Sequence, residues 1–305
     1  MFAEQDQHWL RIRLRTTTAT DRFLATVIRP YIATVLQTGM ADSFSFSRQN
    51  GDVPALRLYV KGQADVLRHI LQPNIKGHFK HYLPEDAIHC APYVPQLDRY
   101  GGPTGHFLSM LQYRASSEMV LEQLHRHAAY WNSSRALDIA RRLHLQVVAR
   151  ANFSLTHAAE FFGQLHTHLR YETAPSADPV SRYDGVAEHL FDTDGSWWHT
   201  LLSAPPTDEH WRRWDSMQQI IGNSLERALV RGKLRERPAA DLLRGPQRGN
   251  YDRTQLWSYY ADFVRLTNNR LGLRPADENY LFYSLMRSLR MLALAHGDGR
   301  RAVAV

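Results

Sequence analysis

The feature that most narrows the fold is a change of hydrophobic period at Arg99-Tyr100-Gly101-Gly102. Before it, apolar residues recur at every second position in short runs. After it, they recur at helical spacing in long ones. His8 to Arg15 sets Leu10, Ile12 and Leu14 on one face between Arg11, Arg13 and Arg15, with Trp9 opposite Leu10. That period of two belongs to a half-buried strand. Ser43 to Arg48 alternates again, Asn50-Gly51-Asp52 supplies hairpin-turn chemistry, and Leu56 to Val60 reads as the returning strand.

Between these runs lie two helical patterns. Thr20 and Asp21 are fitted to cap a helix through Phe23, Leu24, Val27, Ile28, Ile32 and Leu36, closed by Gly39 and kinked at Pro30. A second helix is expected from about Gln63 to Leu71, stopped by Pro73, with extended segments near Gly77 to Leu83 and Ala91 to Leu97. The order β-α-β-β-α-β is the ferredoxin-like, split βαβ pattern: an antiparallel sheet with helices on one face. Long helices are then expected over about 104–130, 134–150, 154–171, 184–202, 208–236, 254–270 and 277–295. Pro205-Pro206-Thr207-Asp208 marks a break and a capped helix start, while 175–179 and 243–250 read as loops. The fold class is therefore α+β. Residues 1–102 form a sheet-containing portion and 103–305 a mostly helical portion, expected to pack together as one unit.

Composition narrows the function more than the fold. Lys and Arg number 37 against 30 Asp and Glu, a formal charge of +7. Such an excess draws anionic partners. Nucleic acid is one class, but the basic residues are scattered, and neither zinc-finger spacing nor an RNP-like aromatic motif is present. An acidic peptide or a small anionic substrate answers the same field. No apolar run approaches the roughly 20 residues of a membrane-spanning helix. The first residues turn polar at once, unlike a signal peptide. The single cysteine, Cys90, allows no internal disulfide, and a cytoplasmic protein is expected.

Common catalytic signatures are missing: no glycine-rich phosphate loop, HExxH, nucleophile elbow or CxxC. His78 with His81, His125 with His127 and His166 with His168 lack the converging ligands a metal requires, so no metal and no cofactor are expected. Cys90 and His89 are adjacent on an extended segment and point to opposite faces, which speaks against a Cys/His nucleophile. Three features remain. Arg48 and Arg57 flank the Asn50-Gly51 turn. Tyr93 to Gly102 reads YVPQLDRYGG, with paired glycines that permit close backbone approach. Leu266-Thr267-Asn268-Asn269-Arg270-Leu271-Gly272 ends a helix on which Ser258, Asp262, Arg265 and Asn269 share a face.

Taken in chain order, Phe46-Ser47-Arg48 with Leu56-Arg57-Leu58, the stretch Tyr93, Pro95, Arg99 to Gly102, and Asn269-Arg270-Leu271 resemble the thiopeptide-type bacteriocin biosynthesis domain, which is also the elimination half of lantibiotic dehydratases. The resemblance spans Trp9 to about Leu292. Its elimination members remove glutamate from glutamylated Ser/Thr of a precursor peptide, using a base histidine shortly before the Asn-Arg pair. Here Arg265 and Thr267 occupy the positions four and two before Asn269, and no histidine occurs between His210 and His296. Taking an α-proton without a near-neutral base is a serious defect.

A second branch, the thiopeptide pyridine synthases, lacks that base. Its members join two dehydroalanines of a linear azole-containing peptide by a formal aza-[4+2] cycloaddition, then expel water and the leader peptide to leave a pyridine-centred macrocycle. The resemblance implies this activity here. Orientation carries much of such a reaction, and tautomerisation of one amide to an iminol asks only for hydroxyl or phenol groups. Tyr251, Ser258, Tyr259 and Tyr260 are the candidate proton shuttles, with Arg57 and Arg99 as holders of carbonyl oxygens. Arg48, Tyr100, Asn269 and Arg270 are candidate substrate-binding residues. Trp211 and Trp214, on a helix with Arg212 and Arg213, are candidates for docking an acidic leader. The implied partner is a ribosomally made precursor peptide, with other biosynthetic enzymes as possible contacts and neither nucleic acid nor membrane. The alternatives are a glutamate-eliminating subunit borrowing His106 or His157, and a non-catalytic precursor-peptide scaffold.

Overall fold

The computed structural model describes residues 7–16, 20–49, 54–172, 208–235, 237 and 253–295. The Asn50-Gly51-Asp52 turn, the expected loops at 175–179 and 243–250, the expected helix at 184–202 and Tyr251 lie outside that set. By Cα proximity the chain divides into two compact units. One comprises Met1–Gln96, Met110–Asn132 and Asn269–Gly272; the other comprises Leu97–Ser109, Ser133–Asn268 and Leu273–Val305.

The first unit holds a four-stranded sheet formed by β1 (Gln7–Arg15), β2 (Ser43–Gln49), β3 (Ala55–Gln63) and β4 (Ile88–Tyr93). Their order is β2-β3-β1-β4 with every neighbouring pair antiparallel, the ferredoxin-like arrangement. Alternation sets the two faces. Leu10, Ile12 and Leu14 of β1, Phe44 and Phe46 of β2, and Leu56, Leu58 and Val60 of β3 are all buried on one side. Leu67, Leu71, Ile75 and Phe79 are buried on the helical segment that contacts β1, β3 and β4. Full burial of each such side chain contributes about 1.5–3 kcal/mol.

The first helical segment continues through its proline as expected, and the second differs from expectation at its own. The first consists of α1 (Thr20–Phe23), a π segment at Leu24–Ile28 and α2 (Arg29–Gln37), so Pro30 is accommodated without ending the helix. Arg29 N–H reaches back five residues to Leu24 O. The second runs through a π segment at Val66–Leu71 into α3 (Gln72–Phe79), where Gln72 N–H bonds Leu67 O. The helix therefore does not stop at Pro73, and Gly77 to Leu83 is helix end and turn, not an extended segment. A proline ring clashes with the carbonyl four residues earlier and donates nothing. The wider π turn just before each proline takes up that misfit.

The described helices after the sheet are α4 (Pro103–Arg126), α5 (Ser133–Arg150), α6 (Leu155–Glu172), α7 (Glu209–Val230), α8 (Trp257–Leu271) and α9 (Pro275–Ala295). Within the second unit α6 pairs with α9 and α5 with α7, around the buried rings of Phe161, Phe162, Trp257 and Phe282. Asp208 caps α7 as its sequence suggests, accepting from the His210 and Trp211 N–H groups. Where α7 meets α5, a Cβ on Gly222 would lie 2.7 Å from the Arg150 carbonyl oxygen; at Gly77 of α3 nothing lies within 4 Å. Gly222→Ala should therefore lower stability by about 1–3 kcal/mol, whereas Gly77→Ala should raise it by about 0.5–1 kcal/mol. Urea-unfolding midpoints moving in opposite directions check both signs.

Candidate functional site

The candidate residues fall into groups, some in each unit. In the second unit, Leu97–Tyr100 forms a 3-10 turn, and Gly101 and Gly102 carry φ of 70° and 99° before α4 begins. A side chain at Gly101 is forbidden twice over. Its backbone is left-handed, and a Cβ there would sit 2.2 Å from the Tyr259 hydroxyl. That hydroxyl donates to Tyr100 O at 2.8 Å, and Arg235 N–H donates to Gly101 O at 2.9 Å. Burial pushes the Tyr259 phenol up to about 12 against the pull of Arg237, so it stays a proton donor at neutral pH.

Sequence reasoning missed Arg237. Its Nε donates to Arg99 O at 3.0 Å, its guanidinium pairs with Asp262, and it stacks 4.6 Å from the Tyr259 ring centre. With only 4% of its side chain exposed, it holds the main chain of Arg99 in place while the Arg99 residue itself is exposed. Asp262, on α8, was visible as a polar face residue. No spacing links position 237 to position 99.

The other candidates of this unit are turned inward. Ser258 is buried and its hydroxyl is directed at Gln255 O, 3.4 Å away. Tyr260 is buried, edge-on to Phe153 and Phe263. Trp211 and Trp214 are 7% and 2% exposed, and Arg142 lies 3.7 Å over the Trp211 ring. These tryptophans pack α7 into its unit.

In the first unit, register dictates an outer sheet face. Ser47, Arg57, Arg13 and His89 form one cross-strand row, and Ser45, Tyr59, Arg11 and Ala91 the next. Arg13 and His89 are exposed and Arg57 half-buried. Two arginines directly opposite repel each other, an arrangement that an anion or a strongly polarised carbonyl relieves. Tyr59 and Tyr93 meet edge-on at 5.0 Å on the same face.

Arg48 points the other way, in register with Phe44 and Phe46, and its side chain is 9% exposed. Its guanidinium bonds Arg270 O at 2.9 Å and pairs with Asp21 at 2.6 Å. The Asn269 amide completes the arrangement: Arg48 N–H donates to Asn269 Oδ1 at 2.8 Å, and Asn269 Nδ2 donates to Arg48 O at 3.0 Å. Arg270 donates to the Ser117 hydroxyl at 3.0 Å, which also accepts Phe46 N–H. β2 is an edge strand, so Ser117 and Asn269 occupy ladder positions a fifth strand would otherwise fill. Burial pushes Arg270 down to about 10, which leaves it charged.

The family described as lantibiotic biosynthesis dehydratase C-term matches residues 9–289. The chain belongs to that family. Solved structures similar to this family member include the pyridine synthase TbtD from thiomuracin biosynthesis (TM-score 0.65, 18% identity, 95% of this chain and 99% of that one). TsrL is also similar (0.63, 21%, 92% and 94%). So is the tRNA-dependent lantibiotic dehydratase MibB from Microbispora sp. 107891 (0.61, 19%, 94% of this chain but 28% of that one). At these identities the likeness is one of fold. No curated protein matches the sequence.

In this family member the histidines take on particular interest. Position 267 before Asn269 is a buried threonine whose hydroxyl is bound to Phe263 O at 2.7 Å. His144, which sequence spacing did not flag, lies against the neighbouring residue: its Nε2 is 2.7 Å from Asn268 Oδ1. Yet His144 is wholly buried, and burial pushes it down to about 4 despite that hydrogen bond. It is a neutral structural imidazole. His157 is exposed at the start of α6, and His106 packs edge-on at 5.0 Å to the Tyr100 ring. Among the described residues no cluster of three His, Cys, Asp or Glu is placed to hold a metal. No described helix is long and apolar enough to cross a membrane. The Cys90 thiol is pushed up to about 11 by burial, so it is protonated.

His144 generates a signed prediction. Its folded value near 4 lies below the ordinary 6.5, so the unfolded chain binds the proton more tightly. The stabilisation is complete above the unfolded value and is lost as pH falls toward the folded one, by an amount on the order of a few kcal/mol. Comparing urea midpoints of wild type and His144→Gln across that window should show a gap that favours the wild type at neutral pH and shrinks on acidification.

Proposed function

We propose that this chain is a pyridine-forming cyclase of thiopeptide biosynthesis, acting in the cytoplasm on a dehydrated, azole-bearing precursor peptide. The observation that carries the reading is the pair Arg265 and Thr267 on α8, where an eliminating relative needs an imidazole. A fold shared with a pyridine synthase along almost its whole chain supports it. In the reaction one amide tautomerises to its iminol, and the resulting 2-azadiene, C=C–N=C–OH, adds across the C=C of the second dehydroalanine through two new C–C bonds, its nitrogen already lying within the diene. Loss of water and then of the leader aromatises the ring. No oxidant or cofactor is consumed.

The residues divide the work as follows. Arg57 on the outer sheet face of the first unit and Arg99 on the clamped turn of the second each polarise and hold a peptide carbonyl oxygen, which stabilises the charge that develops there. Tyr259, Arg237 and Asp262 keep the Arg99 turn in place and are positioning residues. Of the hydroxyl candidates, Ser258 and Tyr260 lie inside their unit, which leaves Tyr251 as the proton-shuttling residue of choice.

Incubating the protein with such a peptide should release intact leader and a macrocycle lighter by the leader and one water. Arg57→Lys and Arg99→Lys should each cut turnover about 10²-fold with peptide affinity kept, the signature of interactions made in the transition state. Unchanged starting material would overturn the reading. A second reading, glutamate elimination, is favoured by one observation, the His106 ring against Tyr100. It predicts that His106→Gln abolishes activity, whereas the cyclase should tolerate that change.

A further inference from the structure

The outer face of the sheet carries more positive charge than the reaction proposed above uses. Arg11 and Arg13 are exposed on β1, and His89, on β4, is exposed beside Arg13 in the same cross-strand row. Arg57 stands opposite Arg13 on the other side. No Asp or Glu occurs in any of the four strands. Elsewhere in this unit arginines find acids: Arg15 pairs with Asp86, Arg48 with Asp21, Arg114 with Glu118, and both Arg29 and Arg126 with Glu122. Among the described residues, Arg11, Arg13 and Arg57 form no ion pair. Like charges directly opposite each other across strands cost stability. A fold keeps such a local conflict where a ligand resolves it.

Three properties identify the occupant. It is anionic, because the row offers only cations and the whole chain carries +7. It is extended: Arg11 and Arg13 lie two residues apart on one strand, about 6.5 Å, the same interval as alternate side chains of an extended peptide. Its charged groups are carboxylates and not the phosphates of a nucleic acid, since the aromatic residues of this face form no stacking platform. Trp9 is buried, and Tyr59 and Tyr93 are half-buried and meet edge-on, whereas single-strand recognition needs open ring faces.

We infer that Arg11, Arg13 and His89 form a docking track for an extended acidic segment of the precursor peptide, with one carboxylate on Arg13 beside His89 and a second, two residues along, on Arg11. The inference rests on the peptide-modifying activity proposed above and names a recognition element for its substrate. A carboxylate on Arg13 also offsets the repulsion at Arg57, whose guanidinium is then free to engage a carbonyl oxygen of the same peptide.

The test is fluorescence anisotropy of a labelled peptide carrying Glu-Ser-Glu, read on the full-length protein, against the same peptide carrying Gln-Ser-Gln. The glutamine peptide should bind at least about tenfold more weakly, and Arg13→Gln should weaken the glutamate peptide by a similar factor. Arg13→Gln should also leave the urea midpoint unchanged or raised, because it removes a like-charge contact. Arg13→Lys should keep part of the affinity, as an ammonium holds a carboxylate without the bidentate fork. Lys80→Gln, which removes one exposed charge at the end of α3, should change binding by less than about twofold. Binding unchanged in Arg13→Gln, a lowered midpoint in that variant, or equal weakening by Lys80→Gln overturns the inference. So does a labelled single-stranded oligonucleotide that binds more tightly with the same variant sensitivity, since the face would then be one for nucleic acid. The peptide needs neither azole nor dehydroalanine, so the two proposals fail separately. Docking insensitive to Arg13 with macrocycle formation intact removes this inference alone, and docking as expected without macrocycle formation removes the cyclase alone.

Discussion

The edge of the sheet beside the outer face depends on how β2 is held. Side chains alternate along a strand, so slipping the β2–β3 pairing by one residue would exchange the two faces. Because β3 is also held by β1, it is β2 that would flip: Phe46 and Arg48 would turn outward and Ser45 and Ser47 inward. The Asn269 amide, paired to both main-chain polar groups of Arg48, and the Ser117 hydroxyl on Phe46 N–H fix that register from outside the sheet. Arg48 adds a cation tied to Asp21 and to Arg270 O. The Asn-Arg pair late in the chain thus guards an edge and holds a register. The outer face beside Arg57 is completed by Ser45 and Ser47 because Phe46 and Arg48 are locked inward.

The same division between scaffold and working group recurs at the RYGG turn. Tyr259, Arg237 and the Arg235 N–H hold the main chain around Gly101, while Arg99 is exposed. Buried donors on main-chain carbonyls immobilise the turn without consuming the Arg99 side chain. A reaction whose barrier is largely a matter of bringing ends together asks for this kind of preorganisation. In contrast, a proton abstraction asks for an imidazole titrating near neutrality. The deeply buried His144 does not meet that requirement, since burial holds it neutral far below neutrality.

Much of the fold was legible because it is written in local period. The strands β1 to β3 and the helices α4 to α9 follow directly from alternation and helical spacing, and the Asp208 cap from its own chemistry. What failed was also local. Pro73 looked like a stop, but a π turn absorbs the ring, and that rearrangement leaves no mark in the residue pattern. The candidate site was legible as motifs but not as roles. Arg48 and Asn269 are 221 residues apart and Arg99 and Arg237 are 138 apart, so nothing in either neighbourhood announces the pairing. Ser258 and Tyr260 share a helix with Asp262, yet which hydroxyls face inward is decided by packing partners such as Phe153, distant in sequence.

The central claim is that this member of the family gathers reactive ends and does not strip a proton from carbon. The most direct measurement is free glutamate released when the purified protein meets a peptide glutamylated on serine. The account predicts release no faster than in buffer alone. Sustained catalytic release, with the peptide serine converted to dehydroalanine, would contradict it.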